Sequence, residues 1–141
     1  MNIHPAFIHF PIALLFLYTV LELVPLERIV PSVPWKSIRH FLLYSGTLFI
    51  IPTIATGLIA ARIVGESDLV EMHERAAFTL FVIFVLASIS SRWYPRWFVQ
   101  KTLTLFGLVS LFVVGSLGAA VVYGYEVDPI VSFITSLLGL H

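Results

Sequence analysis

The chain has 141 residues, 59% hydrophobic and 11% charged, with a mean hydropathy of +0.99 and a formal net charge of zero. A soluble domain of this size cannot hide that much apolar surface, so lipid is the expected solvent and no separate soluble domain is expected. Cysteine is absent, which excludes disulfides, thiolate metal sites, iron–sulfur clusters and covalent c-type haem.

Four apolar stretches, at about 5–24, 38–61, 73–89 and 102–123, each come near the ~20 residues that cross a bilayer as a helix. None alternates with the period of two of a membrane barrel. Met1-Asn2-Ile3 carries no basic residue and no small-residue cleavage site follows, so the first helix is expected to be retained rather than removed as a signal peptide. Pro5 suits a first helical turn. Pro11 frees the carbonyl of Phe7 and is expected to bend the first helix near His9. Pro25, Pro31 and Pro34 break the chain before the second helix, and Trp35, Trp93, Tyr94 and Trp97 lie beside basic residues as an aromatic belt does. Gly65 and Ser67 punctuate the second connection, and Tyr123 and Tyr125 mark the exit of the fourth helix.

Asp128 and Pro129 can open a last helix, with Ile130, Phe133, Ile134, Leu137 and Leu138 on one face and Ser132, Thr135, Ser136 and Gly139 opposite. It is too short to span, and suits either the membrane surface or docking to a partner subunit. The predicted fold is therefore all-α: an integral membrane four-helix up-down bundle over residues 1–125, followed by a C-terminal amphipathic interfacial helix over 126–141. No internal repeat or low-complexity stretch stands out.

The charges are segregated. Arg28, Lys36 and Arg39 flank the first connection, and Arg92, Arg96 and Lys101 the third. The second connection has Arg62 and Arg75 among Glu66, Asp68, Glu71 and Glu74, and the C-terminal end has Glu126 and Asp128. This asymmetry places the first and third connections in the cytoplasm, so a multi-pass protein of the cell (inner) membrane with both termini outside is expected.

His4, His9 and His73 all stand where helices enter from that outer side. Ionisable residues at membrane depth mark functional sites, and imidazole is the commonest metal and haem ligand. In an up-down bundle the first and third helices are diagonal partners, so His9 and His73 can face each other as axial ligands of haem b. Small residues, Thr53, Thr56 and Gly57 on the second helix and Gly115, Ser116 and Gly118 on the fourth, lie at that level, with Ala76 and Ala77 one turn from His73. They can wall a haem pocket or simply permit close helix packing. Arg62 and Arg75 can pair with haem propionates or with the neighbouring carboxylates. His4 lies five residues from His9, so it shares no helical face with it; it can be a second-shell or alternative ligand, or simply sit at the interface. His40 is expected near Glu22, and His141 ends the chain.

The run His4-Pro5-Ala6-Phe7-Ile8-His9-Phe10-Pro11 resembles the opening of the domain of unknown function family 2231, small bacterial and archaeal membrane proteins. The matching positions are His4, Pro5, His9, Phe10, Pro11, Gly57, His73 and, more loosely, Tyr123 and Gly124, over roughly the first 125 residues. The resemblance implies a four-helix membrane domain. Relatives joined to Rieske-type or cytochrome-type domains imply a redox setting, which a partner would supply here.

The leading expectation is a b-type-haem membrane electron carrier rather than a stand-alone catalyst, with His9 and His73 as axial ligands. A Rieske-type or c-type cytochrome partner, or a quinone, is expected in that case, the acidic second loop steering a positively charged partner. One rival is zinc or copper held by His4, His9, His73 and Glu74. The other is a cofactor-free subunit of a larger membrane redox complex or a homo-oligomer. No Ser/His/Asp set, phosphate loop or basic nucleic-acid patch is visible, so hydrolytic, nucleotide-driven and nucleic-acid roles are not expected.

Overall fold

The computed structural model describes residues 4–65, 67–94, 96–124, 129–137 and 139. Four helices are long and apolar enough to span a membrane: α1 (His4–Leu23), α2 (Trp35–Val64), α3 (Asp68–Trp93) and α4 (Trp97–Tyr123). A single 3₁₀ turn, Leu26–Arg28, lies between α1 and α2, and α5 (Pro129–Leu137) follows the bundle. No strand occurs among the described residues. At ~1.5 Å per residue even the shortest of the four reaches the ~30 Å of a hydrocarbon core.

The boundaries follow local chemistry. Ser67 caps α3, its Oγ accepting the Val70 N–H at 3.3 Å, while Asp68 and Glu71 face the positive end of the helix dipole. Gly65 closes α2 with φ of +98°, a conformation that side-chain-bearing residues resist. Pro11 lies inside α1, and the Phe7 carbonyl it deprives of its usual N–H accepts the Thr53 hydroxyl of α2 at 3.2 Å.

α1 packs most extensively on α2, and α3 on α4; α2 with α3 and α1 with α4 complete the ring. The up-down bundle expected from the short connections is what forms, with α1 and α3 on a diagonal. The amino-terminal ends of α1 and α3 meet the carboxyl-terminal ends of α2 and α4 at one end, the histidine end. Trp35, Trp93, Tyr94 and Trp97 gather at the opposite, basic end, as a belt requires. Leu15, Tyr18, Leu43, Phe84 and Leu117 fill the core, whereas Phe41, Leu48, Ile51, Ile63, Phe106 and Phe112 point outward from it. Helices apolar on both faces need lipid around them. Hydroxyls are satisfied within that apolar setting: Tyr44 with Ser91 at 2.9 Å and Thr47 with Ser88 at 3.3 Å tie α2 to α3.

The contacts contain a repeat that a reading along the chain misses. His4 and Leu15 of α1 sit against Gly57 and Gly46 of α2; His73 and Phe84 of α3 sit against Gly118 and Gly107 of α4. Eleven residues, about three turns, separate the members of each pair. A Cβ at Gly46 would lie 2.6 Å from Leu15 Cγ, and one at Gly107 2.8 Å from Phe84 Cζ. The same register aligns the buried pairs Pro11 with Leu80, Leu43 with Thr104 and Ile50 with Leu111. The bundle is thus two hairpins running in the same sense with equivalent helix contacts, as in the parallel-repeat arrangement of several membrane proteins.

The last helix differs in detail from the sequence expectation. Val131 and Thr135 are buried where α5 meets α4, while Ile130, Phe133 and Leu137 are exposed. Thr135, assigned to the polar face, turns inward, its hydroxyl donating to the Val131 carbonyl at 2.9 Å. The apolar face away from the protein is the one a lipid surface would cover. Asp128 as a cap, Leu138, Tyr125, Glu126, Glu66, His141 and the Met1-Asn2-Ile3 opening lie outside the described residues.

Candidate functional site

The repeat determines which histidines meet. His4 opens α1 on the side facing α2, where its Nδ1 is 3.2 Å from Thr56 Oγ1 and its ring interacts with the Thr53 carbonyl. His73 occupies the equivalent place in the second hairpin, its ring interacting with the Val114 carbonyl. Thr53 precedes Gly57, and Val114 precedes Gly118, by one turn. Each imidazole therefore lies in the same cradle: a glycine under its Cε1 edge and a backbone carbonyl beside it. A Cβ at Gly57 or at Gly118 would stand 3.1 Å from the Cε1 of His4 or His73, so the rings sit where a methyl group would crowd them. The two imidazoles are within electrostatic reach of each other across the bundle. The Nδ1 of His73 is buried and has no hydrogen-bond partner among the described residues.

His9 is elsewhere. Its ring is exposed, and its Nδ1–H donates to the Pro5 carbonyl of its own helix at 2.6 Å. Five residues from His4 means a rotation of about 140° around the helix, which carries His9 off the face that holds His4. The structure thus brings together His4 and His73 and leaves His9 on the bundle's exterior. Ala76 and Ala77, one turn below His73, pack against the core. Gly57 and Gly118 are the small residues that touch the histidines, whereas Gly115 has no atom within 4 Å of where its Cβ would be.

Arg75 pairs with Glu71, one turn before it on α3, at 2.5 Å, both well exposed. Arg62 is exposed in the last turn of α2 and makes no ion pair among the described residues. Both guanidinium groups belong to the histidine end. Among the described residues no three of His, Asp and Glu gather closely enough to hold a metal ion. His40 lies at the basic end beside Tyr44, ring centroids 5.6 Å apart, and the partner of Glu22 is Arg39, Nε to Oε2 at 3.3 Å. Arg39 also pairs with Glu27 and donates to the Leu21 carbonyl. That guanidinium holds the Glu27 carboxyl below the usual carboxylate range.

Sequence reasoning missed the glycine cradle and the Arg39 hub. The first carried a legible signal, the matched eleven-residue spacing of His with Leu or Phe and of Gly with Gly. The second carried none, because Glu22, Glu27 and Arg39 look like separate flanking charges until α1 and α2 pack.

A family model described as "Predicted membrane protein (DUF2231)" matches residues 1–129. No curated protein and no solved structure matches the chain.

Proposed function

The chain belongs to the DUF2231 family of predicted membrane proteins, a description that states no activity, and from its residues we propose that it is a b-type-haem electron carrier in which His4 and His73 would hold the haem. The observation that carries this reading is the pair of imidazoles at one end of the bundle, each seated on a glycine and beside a backbone carbonyl of the neighbouring helix. Metal-bound imidazoles characteristically give their second ring nitrogen to such a carbonyl or hydroxyl, which sets tautomer and ring direction.

Two imidazoles are too few for zinc, which takes four protein ligands in a closed site and three in a catalytic one. They would suit a metal that arrives with most of its ligands already supplied, as haem iron does. The buried Nδ1 of His73 without a partner fits a residue whose partner is an added group. Bound haem would supply one-electron chemistry; the protein's residues would orient the rings and exclude water. Arg62 and Arg75, at the same end, are the candidate partners for propionates. The lysine and arginine asymmetry favours that end as the outer one, with both termini outside the cytoplasm, in the cell membrane. Electron partners in this reading are a Rieske-type or c-type cytochrome, or a quinone.

A reduced-minus-oxidised visible spectrum of protein made with ample haem tests the reading. A sharp Soret and α-band, lost in His4→Ala and in His73→Ala but kept in His9→Ala, is the expected result. Loss in His9→Ala with retention in His4→Ala moves the ligand to His9. A featureless spectrum of well-folded protein removes haem and leaves a cofactor-free subunit.

A further inference from the structure

At the basic end the two hairpins part company, and a cavity of about 190 Å³ lies between them, bordered among others by Tyr18, Glu22, Lys36, Arg39, Ser91 and Trp97. The register that pairs His4 with His73 sets Tyr18 against Ala87, Glu22 against Ser91, Lys36 against Trp97 and Arg39 against Gln100. Exposure rises along the wall from Tyr18, 1% exposed, through the part-buried Glu22 and Arg39 to the exposed Lys36 and Trp97. Tyr18 is therefore the floor, and Lys36 and Trp97 are the mouth. Drug-sized ligands fill pockets of roughly 300–1,000 Å³; this cavity is smaller and suits a headgroup whose tails stay outside.

The two ends of the bundle also differ in charge. Arg28, Lys36, Arg39, Arg92, Arg96 and Lys101 stand at the basic end against two carboxylates, Glu22 and Glu27. At the histidine end Arg62 and Arg75 stand among Asp68, Glu71 and Glu74. Arg39 pairs with both carboxylates of the basic end, its Nε 3.3 Å from Glu22 Oε2, and Lys101 is within electrostatic reach of both. Lys36 is different: it is exposed, borders the cavity and makes no ion pair among the described residues. Arg39 and His40 follow it by three and four residues, on the same face of α2. The excess of cations alone follows from the bias that orients membrane helices. A cavity with an uncommitted lysine at its mouth gives that excess a defined place to act.

The wall orders the chemistry of an occupant from mouth to floor. Lys36 suits a phosphodiester. Further in, the Glu22 carboxylate, paired with Arg39, accepts hydrogen bonds and donates none, so it suits hydroxyls and repels an anion. An ammonium group would reach the same carboxylate only by entering among Lys36, Arg39 and Lys101, which repel it. The tryptophan belt puts the cavity at the depth of lipid headgroups. We propose that this cavity holds the headgroup of one anionic glycerophospholipid of the phosphatidylglycerol type, its phosphodiester on Lys36 and its glycerol hydroxyls turned toward the Glu22 carboxylate. The proposal makes no use of haem at the histidine end.

The test is native mass spectrometry of the full chain in detergent, titrated with phosphatidylglycerol, phosphatidylethanolamine, phosphatidylcholine and phosphatidylmethanol of identical tails. The expected result is one saturable adduct with phosphatidylglycerol, held roughly tenfold tighter than the other three. Phosphatidylmethanol carries the same charge and no hydroxyl, so its deficit reads the Glu22 contact. Lys36→Ala should bring phosphatidylglycerol down to the level of phosphatidylcholine, whereas Arg92→Ala, at the same end but off the cavity wall, should leave its binding unchanged. Ser91→Leu, which fills the cavity without altering charge, should remove the site; if that variant does not fold, the contrast between Lys36→Ala and Arg92→Ala decides. Equal affinity for phosphatidylglycerol and any of the other lipids, equal loss in Lys36→Ala and Arg92→Ala, a site retained in folded Ser91→Leu, or displacement of the lipid by free glycerol 1-phosphate at comparable concentration would overturn the proposal. Haem content, read from the visible spectrum of the same samples, reports separately on the histidine pair.

Discussion

The α1–α2 hairpin and the α3–α4 hairpin are alike at the histidine end and unlike at the basic end. At the first, His4 over Gly57 is matched by His73 over Gly118, and Leu15 over Gly46 by Phe84 over Gly107. At the second, Tyr18, Glu22 and Arg39 stand against Ala87, Ser91 and Gln100. Symmetry suits a group gripped equally from both sides; asymmetry makes room. The two hairpins thus share their contacts at one end and differ in polar residues at the other, with Leu15 and Phe84 in the apolar core between the two ends.

The sharpest way to break the comparison is at the histidines. If the two cradles are equivalent, His4→Ala and His73→Ala lose haem to the same extent in the visible spectrum; strong loss in one and none in the other makes the symmetry a packing accident. Next come the glycines beneath the core. Gly46→Ala and Gly107→Ala should each cost about 1–3 kcal/mol by overpacking, seen as lowered melting temperatures in detergent. Phe84 is fully buried and rigid, so the Gly107 variant should suffer at least as much as the Gly46 variant, where Leu15 has rotamers to yield.

A smaller effect is expected at the asymmetric end. Tyr18→Phe removes the middle link between Gln100 and Thr104, and should cost about 1–2 kcal/mol because buried polar groups lose partners. Mutating its counterpart, Ala87→Gly, leaves the side-chain hydrogen bonds in place and should lower stability by about 1–2 kcal/mol through helix propensity and the lost buried methyl, read as a melting-temperature shift. The smallest effect concerns Glu27, whose side chain is half exposed. Its carboxyl is held below the ordinary range by Arg39, so its stabilisation is present above the unfolded value and lost as pH falls through the folded one. Melting curves of wild type and Glu27→Gln should therefore differ slightly at neutral pH and converge below the normal glutamate range, about 4.3.

Much of the site was legible one residue at a time, but its pairing was not. His73, Gly57 and Gly118 were readable as polar and small residues at one level. The choice between His4 and His9 turned on a rotation of about 140°, which depends on which face of α1 meets α2. Thr53 and Thr56 settle that face, by capping the carbonyl that Pro11 frees and by holding His4. The repeat escaped notice because lipid-facing positions need only be apolar, so few positions beyond those in contact keep a common pattern.

By itself the sequence determined that this is a four-helix membrane protein, since composition, span length and charge asymmetry answer to the bilayer alone. It also located each helix, although α2, α3 and α4 run three to five residues beyond the apolar stretches at one or both ends, because Trp, Asp, Glu and Arg at the bilayer surface continue the helix past the hydrocarbon core. Only the tertiary structure decided that His4 and His73 sit on matching glycines at one end of the bundle, that Arg39 gathers two carboxylates, and that Gln100 Oε1 has no hydrogen-bond partner among the described residues. These depend on the rotation of each helix about its axis, and in lipid, where every face is apolar, that rotation is set by glycine contacts and interhelical hydrogen bonds rather than by hydrophobic patterning.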